Sequence, residues 1–230
     1  MKRYLITGAG RGIGKAIALE LARPDAHLLL HGRNRQALEE TAGEVRKKGA
    51  EALCLICDLT DATAIERMIA GIGSEPLDAL VNNAGIAVIK PLEQLTIEEW
   101  NRTVAVNITA PFLFTQKLLP IMPAGASIVN ILSVAAKIGF ADWSSYCMSK
   151  FALEGFSLSI REELRARGIR VINIYPAASD TRLWEQIPGD WPRSQMMPAE
   201  QVAEAVSYAL NRPASTLVEN ITLGNIGGNL

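Results

Sequence analysis

Two apolar patterns alternate along the chain. Short runs that stay apolar at every position, such as "EALCLIC", read as strands buried on both faces. Between them, apolar residues recur at helical spacing and leave the other positions polar. The reading places strands over 3–7, 26–31, 51–57, 77–82, 127–132, 169–175 and 216–223. Helices are expected over 12–23, 34–48, 61–72, 96–119, 144–167 and 198–211. Strand and helix in regular alternation predict an α/β fold, a doubly wound parallel sheet of about seven strands with helices on both faces. No internal repeat or low-complexity segment interrupts it. The least regular stretch, 180–197, is rich in Trp, Pro and Met. It is expected to form a loop over a ligand cleft.

Composition narrows the partners. The 230 residues, 49% of them apolar, are enough for one substantial core, and no Pro/Gly/Ser-rich linker divides them, so residues 1–230 are expected to form one domain. The net charge is −1 and the basic residues form no run, which points away from nucleic acid and from anionic membranes and toward a small molecule. The start, "MKRYLIT", is too short in apolar length for a signal sequence, and no later run is read as membrane-spanning, so a cytoplasmic protein is expected. Three cysteines fit a reducing compartment. Cys54 and Cys57 make a C-x-x-C, but inside a strand residues three apart face opposite sides, so they read as core. His27 and His31 have no acidic or cysteine partner at ligand spacing, and no metal site is expected.

Chemistry enters at "YLITGAGRGIGKAIALELA", residues 4–22, where a strand runs through glycines into a helix. The G-x-G-x-x-G pattern would need glycine at Ile13, and the ATP-binding P-loop would need glycine at Ala9 and a hydroxyl at Ala16. In an open parallel sheet this turn lies at the carboxyl end of the first strand, where ligands bind. Its backbone N–H groups and the positive helix end suit a diphosphate.

Taken in their own spacing, Thr7, Gly8, Gly12 and Gly14 form T-G-x-x-x-G-x-G, and from here the chain resembles the short-chain dehydrogenase/reductase superfamily. The matches continue in order: Asp58 after the third strand, "NNAG" ending in Asn83, Ala84 and Gly85, Asn107 in the long helix, Ser133 after the fifth strand, and Y-x-x-x-K at Tyr146 and Lys150. The resemblance implies a Rossmann-type fold and an NAD(P)-dependent enzyme acting on a carbonyl or alcohol. Arg11, Ile13, Arg33, Leu59, Pro176 and Thr181 then join the cofactor site, with Asp58 on the adenine amino group and Thr181 on the nicotinamide carboxamide. Asn107 is implied to hold a water that links Lys150 to solvent. Homodimers or homotetramers through helices 96–119 and 144–167 are implied as well. The chain departs from the pattern after the sixth strand, where Ala177 stands for the usual glycine and Ser179 for an aliphatic residue.

The residues support that chemistry in their own right. Tyr146 and Lys150, four apart, share one helix face. A tyrosine near pKa 10 needs a shift of about three units to ionise at neutrality, about 4 kcal/mol, and an ammonium about 4 Å away supplies attraction of that order at an effective dielectric near 20. The expectation is that Lys150 lowers the Tyr146 pKa and makes it an acid or base, while Ser133 holds the substrate oxygen. Gly32 replaces the acid that an NAD enzyme places after the second strand, and Arg33 and Arg11 flank the position, so NADP(H) is expected over NAD(H). Trp143, Trp184, Ile187, Trp191, Met196 and Met197 are expected to make a hydrophobic substrate pocket. Two rivals remain at this point: a non-catalytic NADP-binding regulator on the same fold, and a P-loop nucleotidase.

Overall fold

In the computed structural model, which describes residues 1–187, 189–226 and 228, seven parallel strands form one sheet in the order β3-β2-β1-β4-β5-β6-β9. They are β1 (Lys2–Ile6), β2 (Ala26–Gly32), β3 (Glu51–Ile56), β4 (Ala79–Asn82), β5 (Ser127–Ile131), β6 (Arg170–Pro176) and β9 (Asn220–Leu223). Two-residue strands β7 (Ser179–Asp180) and β8 (Met197–Pro198) pair with each other, an element the sequence did not announce. Helices α1 (Gly12–Leu21), α2 (Arg35–Lys47) and α7 (Ala199–Leu210) take one face. Helices α3 (Ala62–Ala70), α4 (Ile97–Val104), α5 (Ala110–Leu118) and α6 (Ser144–Arg165) take the other.

Uninterrupted apolar strands are what this two-faced burial requires. In β1, Tyr4 and Ile6 pack toward α1 while Leu5 packs toward α5; in β2, Leu28 and Leu30 oppose Leu29 in the same way. Cys54 and Cys57 divide between the same two faces, as their spacing predicts, and both are free thiols. Side chains cap three of the α-helices: Asn34 Oδ1 accepts from Ala37 N at 3.0 Å, Asp61 Oδ1 from Ala64 N at 2.9 Å and Thr96 Oγ1 from Glu99 N at 3.2 Å.

Three of the differences from expectation have a visible cause. Thr7 lies beyond β1, in the turn, where its N–H donates to Val81 O at 3.0 Å. The last strand starts at Asn220, because Thr216 N donates to Pro213 O and closes a turn instead. The helix expected over 96–119 carries a wide π turn at Ala105–Thr109 between α4 and α5. With that turn included, helix runs from Ile97 to Ile121, long and apolar enough to cross a membrane, contrary to the sequence reading. Here it is a core helix, with Leu113, Phe114 and Leu118 buried against α3 and the sheet.

The strand order reverses between β1 and β4, and the loops that leave these two carboxyl ends enclose a crevice.

Candidate active site

The glycine turn is held by close packing from β4. Thr7 Oγ1 accepts from the N–H groups of Asn83 and Ala84, both at 3.0 Å, and Asn83 Nδ2 donates to Thr7 O at 2.8 Å. Gly8 takes φ +71, and a Cβ there would stand 3.0 Å from the Ala84 Cα; a Cβ at Gly14 would collide with the Gly8 carbonyl oxygen. The first turn of α1 has no side-chain cap and no acidic residue. Its free N–H groups and its positive end therefore face the crevice without a protein acceptor. This cradle fits a diphosphate, with Gly12 and Ile13 at its lip and Thr181 packed 3.3 Å from where a Gly12 Cβ would stand.

At the end where the adenine was expected, Arg11 and Arg33 are exposed, and the Arg33 guanidinium lies 3.8 Å from Asp58 Oδ2. Asp58 Oδ1 accepts from Thr60 N and Oγ1, each at 2.9 Å; these bonds, and secondarily Arg33, hold its carboxyl below the usual range. Leu59 points the other way, with its side chain buried in the core under α3. Only its backbone can face a ligand.

Ser133 follows β5 and caps a short 3-10 turn, Val134–Ala136, by accepting from Ala135 N at 3.1 Å. One lone pair is thus used, and the hydroxyl hydrogen is left to donate, to Tyr146 here or to a ligand oxygen. Tyr146 stands in the first turn of α6, half-buried. Burial pushes its pKa up to about 12, and a hydrogen bond from Ser133 opposes that shift. Lys150 is buried and donates to Ile131 O at 2.9 Å, with its ammonium 5.6 Å from the Tyr146 ring centre. Loss of solvent brings its own pKa down to about 8. Of the groups around Tyr146, the Ser133 hydroxyl is the one that opposes the upward shift, while the Lys150 ammonium is bonded to Ile131 O.

Asn107 sits in the π turn and is clamped. Its Oδ1 accepts from Ile86 N at 2.9 Å while its Nδ2 donates to Ile86 O at 2.8 Å and to Ser149 Oγ at 2.9 Å. A wide turn redirects one residue of an otherwise regular helix, and here it delivers that residue to the segment after Gly85. A Cβ on Gly85 would lie 3.5 Å from Asn107 Oδ1 and 3.7 Å from Lys150 Nζ, so both groups converge on that glycine.

Beside Ser133 and Tyr146 opens a cleft of about 130 Å³, whose walls include Ile13, Leu132, Phe140, Trp143, Pro176, Ala177, Ser179, Thr181, Leu183, Trp184 and Trp191. None of these side chains is charged. Trp143, Trp184 and Trp191 touch one another, with ring centres 4.9 to 6.2 Å apart, and Trp184 Nε1 donates to Ser179 O at 2.9 Å. Ile187 and Met196 pack behind this wall, and Met197 enters the main core, so three of the six expected pocket residues support the cleft from outside it. Ala177 needs no glycine: its φ is not positive, and its N–H donates to Leu223 O at 2.8 Å.

Sequence reasoning missed a polar row, buried at Asn82, Asn130 and Asn173 and exposed at Asn220. Asn82, Asn130, Asn173 and Asn220 stand in register across β4, β5, β6 and β9. Asn82 Nδ2 donates to Asn130 Oδ1 at 2.9 Å, and Asn130 Nδ2 donates to Ser157 Oγ at 2.8 Å. The signal was an asparagine inside each apolar run, legible only once the strand register is known.

A family model described as short chain dehydrogenase matches residues 2–190. A sepiapterin reductase of Chlorobaculum tepidum is 36% identical over 98% of this chain and 97% of its own, and a D-threitol dehydrogenase of Mycolicibacterium smegmatis is 30% identical over 99% and 92%. Among solved structures, an alcohol dehydrogenase from the archaeon Thermococcus sibiricus, complexed with 5-hydroxy-NADP, superposes with TM-score 0.88 at 28% identity over 100% of this chain and 99% of that one. The landomycin C-6 ketoreductase LanV with bound NADP and rabelomycin gives TM-score 0.85 at 29% identity over 96% and 94%.

Proposed function

The chain belongs to the short-chain dehydrogenase/reductase family and is an NAD(P)-dependent oxidoreductase, and on that premise we propose that it interconverts a carbonyl and a secondary alcohol on a neutral, hydrophobic substrate with NADP(H) as the preferred coenzyme. The observation that carries the reading is that Ser133 and Tyr146 open into one cleft walled by aromatic, uncharged side chains. The nucleotidase and regulator readings are set aside with that premise.

A bound nicotinamide supplies the hydride. Ser133, its lone pair taken by Ala135 N, donates its hydroxyl hydrogen to the substrate oxygen and stabilises the charge that develops there. Tyr146, held protonated by burial, gives its proton to that oxygen. Lys150 keeps N–H groups beyond its bond to Ile131 O, and these hold the nicotinamide ribose. Asn107 carries the water that connects Lys150 to solvent. At the nucleotide end, Gly8, Gly12, Ile13 and Gly14 cradle the diphosphate; Asn83, Ala84 and Gly85 back it from β4; Asp58 and the Leu59 backbone meet the adenine; Thr181 and Pro176 meet the carboxamide. Arg11 and Arg33 hold the 2′-phosphate from opposite sides, a choice supported by the NADP named with LanV and by the absence of an acid at Gly32.

Residues 1–230 act as one catalytic domain in the cytoplasm, as a homodimer or homotetramer. The exposed Phe112, Phe151 and Leu158 on α5 and α6 support that assembly.

A panel of ketones assayed by NADPH and NADH absorbance tests the proposal. Aromatic ketones should be reduced faster than sugars or short hydroxy-acid precursors, and kcat/KM should favour NADPH at least about tenfold per arginine. Gly32→Asp with Arg33→Ala should reverse that preference, the new Cβ needing only a small shift of the Leu38 methyls 3.3 Å away. Equal kcat/KM for the two coenzymes in the unaltered enzyme would remove the arginine assignment.

A further inference from the structure

Glu154 lies one helical turn beyond Lys150 and two beyond Tyr146, on the same face of α6, yet it lines no part of the cleft. It is 8% exposed. A carboxylate removed from water at this depth is costly unless it is paired, and here one oxygen serves two partners. Glu154 Oε1 accepts from Tyr175 OH at 2.9 Å and from the Lys137 ammonium, which also stands 4.7 Å over the Tyr175 ring.

Each partner belongs to a segment that builds the cleft. Lys137 directly follows the 3-10 turn capped by Ser133, and Tyr175 directly precedes Pro176 at the end of β6. The Tyr175 ring packs with Leu132, which precedes Ser133, with Ala136, the last residue of the turn, and with Leu153. The direction of the Ser133 hydroxyl is set by that turn, since Ser133 Oγ and O accept from Ala135 N and Ala136 N. Its leading end is pinned to the sheet by Leu132 N to Ile174 O at 2.8 Å; its trailing end is pinned to α6 through Lys137 and Glu154.

We propose that Glu154 is a positioning residue: it fixes the Ser133 hydroxyl relative to Tyr146 by tying the turn behind Ser133, and the end of β6, to the helix that carries Tyr146 and Lys150. This rests on the role given to Ser133 above. Glu154 touches no reacting atom and acts only through Ser133.

A mutant cycle tests it, using purified enzyme, NADPH and the fastest aryl ketone of the panel. Glu154→Gln keeps the size and an acceptor but loses the charge that holds Lys137. It should lower kcat about tenfold, as small displacements of a catalytic group do, while NADPH Kd read by tryptophan fluorescence stays within about twofold. In a Ser133→Ala background the same change should cost less than about twofold, because the group it orients is gone. Equal losses in both backgrounds, or no loss in the unaltered enzyme, overturn the inference. A Ser133→Ala enzyme as fast as the unaltered one overturns the reading of Ser133 and the inference with it. Should Glu154→Gln fail to fold, Lys137→Gln, at a half-exposed side chain, runs the same cycle with the same outcomes.

Discussion

The two ends of the crevice are built from different materials. At the proposed diphosphate end the groups that face the crevice are backbone: the Gly8–Gly14 turn and the uncapped start of α1, held to β4 by the Thr7 and Asn83 side chains. At the proposed carbonyl end they are side chains: Ser133 on the turn after β5, Tyr146 on α6, and Trp184 and Trp191 on the irregular stretch between β7 and β8. Backbone cannot change with sequence, so the first end suits a ligand common to a whole family. Side chains can, so the second end is where substrates differ. Damage should therefore show as lost fold and lost nucleotide binding at one end, and as lost chemistry or altered selectivity at the other.

The largest effect separates the ends most sharply. Tyr146→Phe removes the proton donor and keeps the ring, so kcat should fall on the order of 10³-fold while NADPH Kd moves less than about twofold. Retention of a tenth of the original kcat would mean that another group delivers the proton.

Gly14→Ala attacks the other end. Its Cβ would press on the Gly8 carbonyl, backbone against backbone, and should cost about 3 kcal/mol of stability and most NADPH affinity together. A variant that melts normally yet no longer binds NADPH would show that the turn is not held by close packing.

His31 adds a pH dependence to the same end. It is the penultimate residue of β2, its carbonyl accepts from Ala9 N at 2.8 Å, and burial brings its pKa down to about 4. The unfolded chain takes up that proton near pH 6.5, before the folded one does. Stability is therefore full above about pH 6.5 and is lost progressively as the pH falls toward 4, by about 3 kcal/mol in all. Urea titrations from pH 7 to pH 4.5 should show a shallower decline for His31→Gln than for the unaltered protein. Parallel declines would assign the acid sensitivity to other groups.

Trp191→Ala, the mildest change, opens the cleft wall. KM for an aryl ketone should rise about tenfold, with kcat for a small aliphatic ketone and NADPH affinity nearly unchanged. An equal rise for both ketones would mean that Trp191 packs the loop and does not select the substrate.

Much of the diphosphate end was legible along the chain, because its residues are neighbours in sequence and glycine has few other reasons to recur in that spacing before a helix. Tyr146 and Lys150 were legible for the same reason, being four apart on one helix. Lys150's bond to Ile131 O was not, since the two residues meet only after β5 and α6 pack together. Trp143, Trp184 and Trp191 were singled out as a group, but only packing separated them from Ile187, Met196 and Met197. The bend at Asn107 had no local signal: nothing in "VAVNITA" marks a π turn, which arises from a side chain that finds its partners on the Ile86 backbone and Ser149.

Sequence alone determined the alternation of strand and helix, the parallel sheet and the order in which the chemical groups appear, because periodicity and glycine spacing are local properties enforced by two-sided burial. Tertiary structure decided which groups face each other. The Ser133 turn owes its anchorage to Glu154, 21 residues away, and Tyr175, 42 away, and the four asparagines of β4, β5, β6 and β9 become one row only through strand register. A buried hydrogen bond is worth making only where the fold removes water from both partners, and that condition is met by packing.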